Sequence, residues 1–174
     1  MSLLGVVDIC KTRLGGKIGD SVWVTGTLGG SLMGHHLTFR PRLSEGAFLA
    51  QYPGVKAMMD LTDGLAKDGL AICGKDKSLS LSLDKLPMRP DAILMSQASG
   101  RSIIDHALSD GEDYELLFVL DATVDPVIFK KNWEVQFSES VTCIGHLSPL
   151  LLQDTPYLCD ASDHSLLLFK GYEH

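Results

Sequence analysis

The stretch that decides the fold runs from Ala57 to Asp68 and reads Ala-Met-Met-Asp-Leu-Thr-Asp-Gly-Leu-Ala-Lys-Asp. The apolar run Lys56–Met59 is typical of a strand, so we expect Asp60 to stand at a strand end that opens into a crevice. In an extended segment Asp60 and Thr62 face the same side, and Asp63 follows close behind them. The sequence thus predicts a cluster of oxygen atoms between a strand and a helix that runs to about Cys73.

Two interpretations of this cluster remain open on spacing alone. In the first, the hard oxygens hold a magnesium ion that keeps some of its waters and binds substrate phosphates. In the second, Thr62 or Asp63 is only the N-cap of the helix and Asp60 is only a solvated strand end. Leu65, Ile72 and Cys73 form an apolar stripe on the predicted helix, which is more typical of a core than of a cofactor site.

Composition limits the class of protein. The chain has 174 residues, of which 45% are hydrophobic and 21% charged, so it can bury a core and form one globular domain. A formal net charge of -7 argues against a nucleic-acid binder, which needs a clustered positive face. No apolar run approaches the roughly 18 residues of a membrane span, so we expect a cytoplasmic protein with no membrane contact. The four cysteines lack the spacing of a zinc site or a disulfide framework.

A glycine-rich loop follows the first predicted strand, Ser21–Thr25. The loop, Gly26–Ser31, precedes a possible helix start at Leu32–Leu37. Glycines let backbone amides approach an anion, so the loop could cradle a phosphate. It lacks the Lys-Ser/Thr ending of a P-loop and has only an imperfect GxGxxG, which favours a plain tight turn. His35 and His36 have no carboxylate or cysteine partners at ligand spacing, which favours surface or packing roles over metal binding.

A second group of charged residues, Asp110-Gly111-Glu112-Asp113-Tyr114-Glu115, precedes the predicted strand Leu116–Leu120. Crowded carboxylates repel one another, so they need solvent, cations or hydrogen-bond donors to stay ionised. A turn on the surface would supply solvent, whereas a ligand site would supply cations and donors.

The remaining elements are predicted from hydrophobic period and breaker residues. They are a helix at Ser44–Ala50, a strand at Leu79–Leu83, a loop marked by Pro87 and Pro90, a helix at Gln97–Leu108, a helix at Val124–Lys131, a strand at Val141–Leu147 and a last strand at Leu166–Phe169. Strands and helices without strict alternation predict an α+β layered domain, in which a mixed β-sheet packs against helices.

Four motifs occur in an order that resembles the C-terminal domain of thiamine-monophosphate kinase. They are Val24–Gly29, Met59–Leu65, Gly111–Leu116 and Lys170–His174. The resemblance runs from about Arg13 to the end, so residues 1–12 are interpreted as a linker or lead-in and residues 13–174 as the C-terminal kinase domain. It implies a fold like that of the aminoimidazole ribonucleotide synthetase C-terminal domain, and transfer of a phosphoryl group from ATP to thiamine monophosphate with Mg²⁺.

The same resemblance implies roles for individual residues. Asp60 and Asp63 match magnesium ligands, whereas Thr62 and Arg13 match positions that contact ATP. Gly111 or Glu112, together with Tyr172, match positions that hold thiamine monophosphate.

Family members also carry an N-terminal domain that forms most of the nucleotide site and of a homodimer. No part of this chain corresponds to it, so we expect the chain alone to be inactive. The alternatives left open are a non-catalytic domain that binds a nucleotide, a phosphate metabolite or a partner protein, and a related enzyme with another substrate.

Overall fold

The computed structural model describes residue 6, residues 8–150, residues 158–160 and residue 166. Within these residues the strands are β1 (Ser21–Thr25), β2 (Val55–Asp60), β3 (Ser78–Leu81), β4 (Leu116–Leu120), β5 (Val141–Ser148) and β6 (Leu158–Asp160). The helices are α1 (His35–Thr38), α2 (Leu43–Gln51), α3 (Leu65–Cys73), α4 (Pro90–Ser99), α5 (Ile103–Ser109) and α6 (Pro126–Gln136). Short 3₁₀ turns occupy Ser31–Met33 and Leu83–Lys85.

The described strands form one mixed sheet in the order β2-β4-β1-β5-β3-β6. All neighbouring pairs are antiparallel except β3 and β6, which are parallel. The predicted mixed sheet with helices is therefore confirmed. The register pairs Asp60, the last residue of β2, with Leu116, the first residue of β4. The sheet thus brings the two charged segments of the sequence to the same end.

Each face of the sheet carries its own hydrophobic core, because successive side chains of a strand point to opposite faces. On one face Val22 and Val24 pack with residues of α3 and α5. On the other face Trp23 packs with residues of α2 and α6. This second core is largely aromatic, and the Trp23 and Phe129 rings meet edge to face at 5.3 Å. The three layers hold β2, β4 and α3, which carry the charged segments, in fixed positions.

Some predicted elements need correction. The single helix predicted at Gln97–Leu108 is wrong, because Gly100 adopts a left-handed φ of 74° that ends α4. Ser102 then starts α5 by accepting a hydrogen bond from Asp105 N at 3.0 Å. Pro90, predicted to mark a loop, is the first residue of α4. In the helix predicted from Val124, residue Asp125 is the N-cap, so the helix begins at Pro126.

The ends of the chain add two findings. Strand β6 was not predicted, and the strand predicted at Leu166–Phe169 lies outside the described residues apart from Leu166. Near the start, the segment Thr12–Gly16 runs along β2, where Met58 N donates a hydrogen bond to Thr12 O at 3.2 Å. A Cβ on Gly15 would lie 1.9 Å from Lys56 O, so the backbones meet too closely for any side chain.

Among the described helices, none combines the length and hydrophobicity needed to cross a membrane.

Candidate active site

The segments Asp60–Gly64 and Asp110–Glu115 are joined to each other by backbone hydrogen bonds. Leu61 N donates to Glu115 O at 2.8 Å, and Tyr114 N donates to Leu61 O at 2.9 Å. A third bond runs from Glu112 N to Thr62 O at 2.8 Å. The structure therefore brings together Asp60, Thr62, Asp63, Gly111 and Glu112, which the sequence had assigned to metal, nucleotide and substrate.

The loop Asp60–Gly64, which we call the aspartate loop, presents its polar side chains toward solvent. Asp60 is exposed at the end of β2, and Thr62 and Asp63 are partly exposed. Helix α3 has Gly64 as its N-cap, with no hydrogen bond from a capping side chain. The interpretation of Thr62 or Asp63 as an N-cap is therefore wrong, because α3 starts one residue later, after a glycine with a φ of 94°.

Sequence reasoning missed Asp68, the buried residue that supports the aspartate loop. Its Oδ2 accepts hydrogen bonds from Thr62 N at 2.9 Å and from Asp63 N at 3.0 Å. Burial raises the pKa of Asp68 to about 6, and the bonds from the two amides oppose that rise. The sequence feature that could have identified Asp68 is a carboxylate in the first turn of a predicted helix, where free backbone amides attract a negative charge.

The oxygen atoms of the aspartate loop fit a magnesium ion. Asp63 forms an ion pair with Lys67 at 2.7 Å, and the Lys67 side chain is 53% exposed. Such an exposed pair contributes little stability, so a divalent ion could replace the lysine. No group of three or more His, Cys, Asp or Glu side chains that could hold a metal was found in the part of the chain that the structure describes. An Mg²⁺ ion held by Asp60 and Asp63 would therefore have to take its other ligands from water and phosphates.

The second segment, Asp110–Glu115, is not the solvated surface turn that one interpretation favoured. Asp113 and Glu115 are each only 1% exposed. Glu112 and Tyr114 have φ values of 54° and 52°, a left-handed conformation that costs energy outside glycine. Burial raises the pKa of Asp113 to about 7, although Arg89 Nη1 lies 3.3 Å from Asp113 Oδ1 and lowers it. Protein groups donate to the buried carboxylates of Asp110, Asp113 and Glu115, although Asp113 Oδ2 is buried without a hydrogen-bond partner.

The glycine-rich loop supplies some of these donors. Gly29 N donates to Asp113 Oδ1 at 3.0 Å, and Gly30 N donates to Asp110 Oδ2 at 3.2 Å. Two of the amides that could have cradled a phosphate therefore bind carboxylates of the protein. The contacts favour the tight-turn interpretation of this loop over the phosphate-binding one.

A cleft of about 260 Å³ opens beside the aspartate loop. It is lined by Phe39, Pro41, Arg42, Leu43, Asp60, Tyr114 and Leu116. The rings of Phe39 and Tyr114 stack at a centroid distance of 4.1 Å. Burial raises the pKa of Tyr114, and the negative charges of Glu112 and Asp60 raise it further. Aromatic faces close to carboxylates suit a flat cationic ligand, a feature the sequence did not predict.

Arg13 and Tyr172, the other predicted site residues, are not seen in this group among the described residues. Arg13 lines a separate cleft of about 500 Å³ with residues of the C-terminal end of α3, among them Leu70 and Gly74. The aspartate loop precedes the opposite end of this helix. Tyr172 lies outside the described residues.

The chain is similar to known proteins in both sequence and fold. No protein-family model matches the chain. A thiamine-monophosphate kinase from Rhodopirellula baltica is 34% identical over 146 residues, which cover 83% of this chain and 46% of that protein. The solved structure of AaThiL complexed with AMPPCP and TMP has a TM-score of 0.67 and 25% identity, and the match covers 94% of this chain and 54% of that one.

A more distant structure shares the fold alone. The hydrogenase maturation protein HypE from E. coli has a TM-score of 0.61 at 18% identity, over 91% of this chain and 52% of that one. The chain spans about half the length of the curated relatives it matches. Sequence and fold agree, and the chain is a homologue of the thiamine-monophosphate kinases that corresponds to their C-terminal domain.

Proposed function

We propose that this chain forms the C-terminal part of an ATP-dependent kinase that converts thiamine monophosphate to thiamine diphosphate. The observation that carries this proposal is the backbone pairing between the aspartate loop and Asp110–Glu115. Asp60 and Asp63, the proposed metal ligands, flank the residues that are bonded to Glu112, Tyr114 and Glu115, and this arrangement supports a shared site with Glu112, the proposed substrate residue. Phosphoryl transfer requires that nucleotide, metal and acceptor meet at one point, and these residues supply such a point.

The chemistry assigned to each residue follows from its position. A bound Mg²⁺ would neutralise charge on the phosphate oxygens during an in-line transfer. Asp60 and Asp63 would hold that ion, and the hydroxyl of Thr62 would contact ATP. Arg13 would contact nucleotide phosphates from the cleft that it lines beside the C-terminal half of α3.

The substrate is proposed to bind on the side of Glu112 and Tyr114. Thiamine monophosphate combines a cationic ring with an anionic phosphate, so it suits a site that offers aromatic faces and carboxylates near a metal. Gly111, whose φ is 69°, allows the backbone turn that presents Glu112. Tyr172 would complete the site, as the family resemblance implies.

The assembly belongs to the proposal as well. We propose that an N-terminal domain completes the nucleotide site and forms a homodimer, that the whole protein works in the cytoplasm, and that residues 13–174 alone do not catalyse transfer. The length of the relatives, about twice the matched region, supports this view.

Metal-dependent binding of thiamine monophosphate to the chain tests the site. Calorimetric titration of the chain with thiamine monophosphate, in the presence of ATP and Mg²⁺, should show binding that Glu112→Gln weakens. In Asp60→Asn and Asp63→Asn the affinity for thiamine monophosphate should no longer depend on Mg²⁺. The control is Asp84→Asn, which changes an exposed carboxylate in the 3₁₀ turn Leu83–Lys85. Unchanged metal dependence in both site variants would contradict the assignment of the ligands.

Turnover tests the activity. Mixing the chain with the separately produced N-terminal half of the Rhodopirellula baltica relative should yield thiamine diphosphate, whereas the chain alone should not. Turnover by the chain alone would show that no second domain is needed. A faster reaction with another phosphorylated metabolite would instead identify a related enzyme with a different substrate.

A further inference from the structure

The backbone of the aspartate loop has its polar groups engaged by the protein itself. Leu61 N and Leu61 O are bonded to the segment Asp110–Glu115, as is Thr62 O. Two further amides of the loop, Thr62 N and Asp63 N, both donate to Oδ2 of Asp68. Asp68 is 4% exposed, so its carboxylate lies behind the loop and not in the crevice.

This arrangement decides which sign of charge the loop can attract. Free amides at the start of a helix normally bind anions, helped by the positive end of the helix dipole. Thr62 and Asp63 precede Gly64, the N-cap of α3, and their amides already have a carboxylate partner, so these two amides cannot serve as an anion cradle. The groups left facing outward are the oxygens of Asp60, Thr62 and Asp63, which are ligands for a hard cation.

We propose that Asp68 is a positioning residue that orients the side chains of the aspartate loop for a cation and keeps the amides of Thr62 and Asp63 from binding an anion. This inference rests on the proposed function, since the cation is the magnesium ion assigned to Asp60 and Asp63. Asp68 does not touch the ion. It acts by accepting two adjacent backbone amides, and so fixes the direction in which the loop side chains point. Supporting residues of this kind typically change metal affinity by about 10- to 100-fold.

The test measures Mn²⁺ binding to the chain by the paramagnetic broadening of its amide NMR signals. Asp68→Ala should weaken Mn²⁺ binding at Asp60 and Asp63 by at least about tenfold. It should also free the amides of Thr62 and Asp63, so that inorganic phosphate shifts their signals. Asp68→Asn should bind Mn²⁺ nearly as tightly as the wild type, because its side-chain oxygen can still accept both amides.

A matched control separates positioning from general destabilisation. In Asp125, Oδ1 accepts from Val127 N at 2.8 Å and from Ile128 N at 3.4 Å, at the start of α6. Asp125→Ala thus removes the same kind of contact on another helix and should leave Mn²⁺ binding unchanged. Circular dichroism and urea unfolding would verify that every variant is folded.

Each outcome has a distinct meaning. If Asp68→Ala binds Mn²⁺ like the wild type, the positioning role is wrong while the metal site stands. If Asp68→Asn is as weak as Asp68→Ala although its amides remain protected from exchange, the charge of Asp68 and not its hydrogen bonds carries the effect, and the proposal is again overturned. If Mn²⁺ does not broaden the amide signals of the wild type, or if Asp60→Asn leaves the broadening unchanged, the metal site is wrong. The positioning role is then wrong with it.

Discussion

Arg42 donates two parallel hydrogen bonds to the Glu115 carboxylate, from Nε to Oε2 at 2.8 Å and from Nη2 to Oε1 at 2.8 Å. The Glu115 side chain is 2% exposed, so the guanidinium replaces water as its partner. Oε2 also accepts from Thr25 Oγ1 at 2.6 Å, which fastens the group to β1. Arg42 thereby fixes the residue whose carbonyl binds Leu61 in the aspartate loop.

Replacing Arg42 should destabilise the fold strongly. Arg42→Met leaves the Glu115 carboxylate buried without its cation, a change that typically costs about 3–5 kcal/mol. Urea unfolding monitored by tryptophan fluorescence measures the loss. Arg40→Met changes an exposed arginine two residues away and serves as the control. Equal stability of the two variants would mean that solvent reaches Glu115.

Gly26 should not tolerate a side chain. A Cβ at this position would lie 2.1 Å from Glu115 Oε1, and its φ is 59°. Gly19 is a matched control, because its φ of 92° is also positive but nothing lies within 4 Å of the added Cβ. We expect Gly19→Ala to show only the backbone strain, and Gly26→Ala to lose about 1–3 kcal/mol more in free energy of unfolding. Equal losses would show that Glu115 moves aside without cost.

Asp113 should make stability fall as the pH rises from about 4 to about 7. Its pKa is raised from 3.8 to about 7 in the folded state, chiefly by burial, with Glu115 and Asp110 adding to the rise and Arg89 opposing it. Between these two values the folded chain holds a proton that the unfolded chain has released, so raising the pH favours unfolding.

The comparison with Asp113→Asn isolates this contribution. The free energy of unfolding of the wild type, measured in urea, should decline relative to the variant across that range and then run parallel to it above about pH 7. Parallel curves across the whole range would show that Asp113 titrates at its ordinary pKa.

Phe129, on α6, should be costly to truncate. It is fully buried and contacts the rings of Trp23, Tyr52, Phe118 and Trp133. Phe129→Ala should lower the free energy of unfolding by about 3–5 kcal/mol. Val135→Ala changes a residue that is 80% exposed on the same helix and should cost within about 0.5 kcal/mol. Similar effects would mean that α6 is only loosely packed on the sheet.

Local patterns were sufficient to predict several strands and the fold class. The alternation in Ser21–Thr25 and the apolar run Leu116–Leu120 predict β1 and β4 with their observed bounds. The approach of Asp60 to Leu116 could not be read locally, since it depends on a strand pairing between residues far apart in the sequence. Only the family resemblance linked the two charged segments before the structure did.

Residues that act through tertiary contacts escaped sequence reasoning. Arg42 and Arg89 lie far from Glu115 and Asp113 in sequence, so no spacing rule identifies them as counterions. The break at Gly100 was missed because a single glycine is tolerated within a helical pattern. The conformation of Gly100, not its presence, ends α4.

The contact between Thr12 and Met58 also bears on solubility. Strand β2 is the outermost strand at its end of the sheet, and an uncovered strand edge can pair with the edge of another molecule. The segment Thr12–Gly16 lies against that edge and uses one of its amides. Thr12, which belongs to the segment interpreted from the sequence as a lead-in, thus helps to shield the sheet, and a chain trimmed beyond Thr12 would present β2 as a template for aggregation.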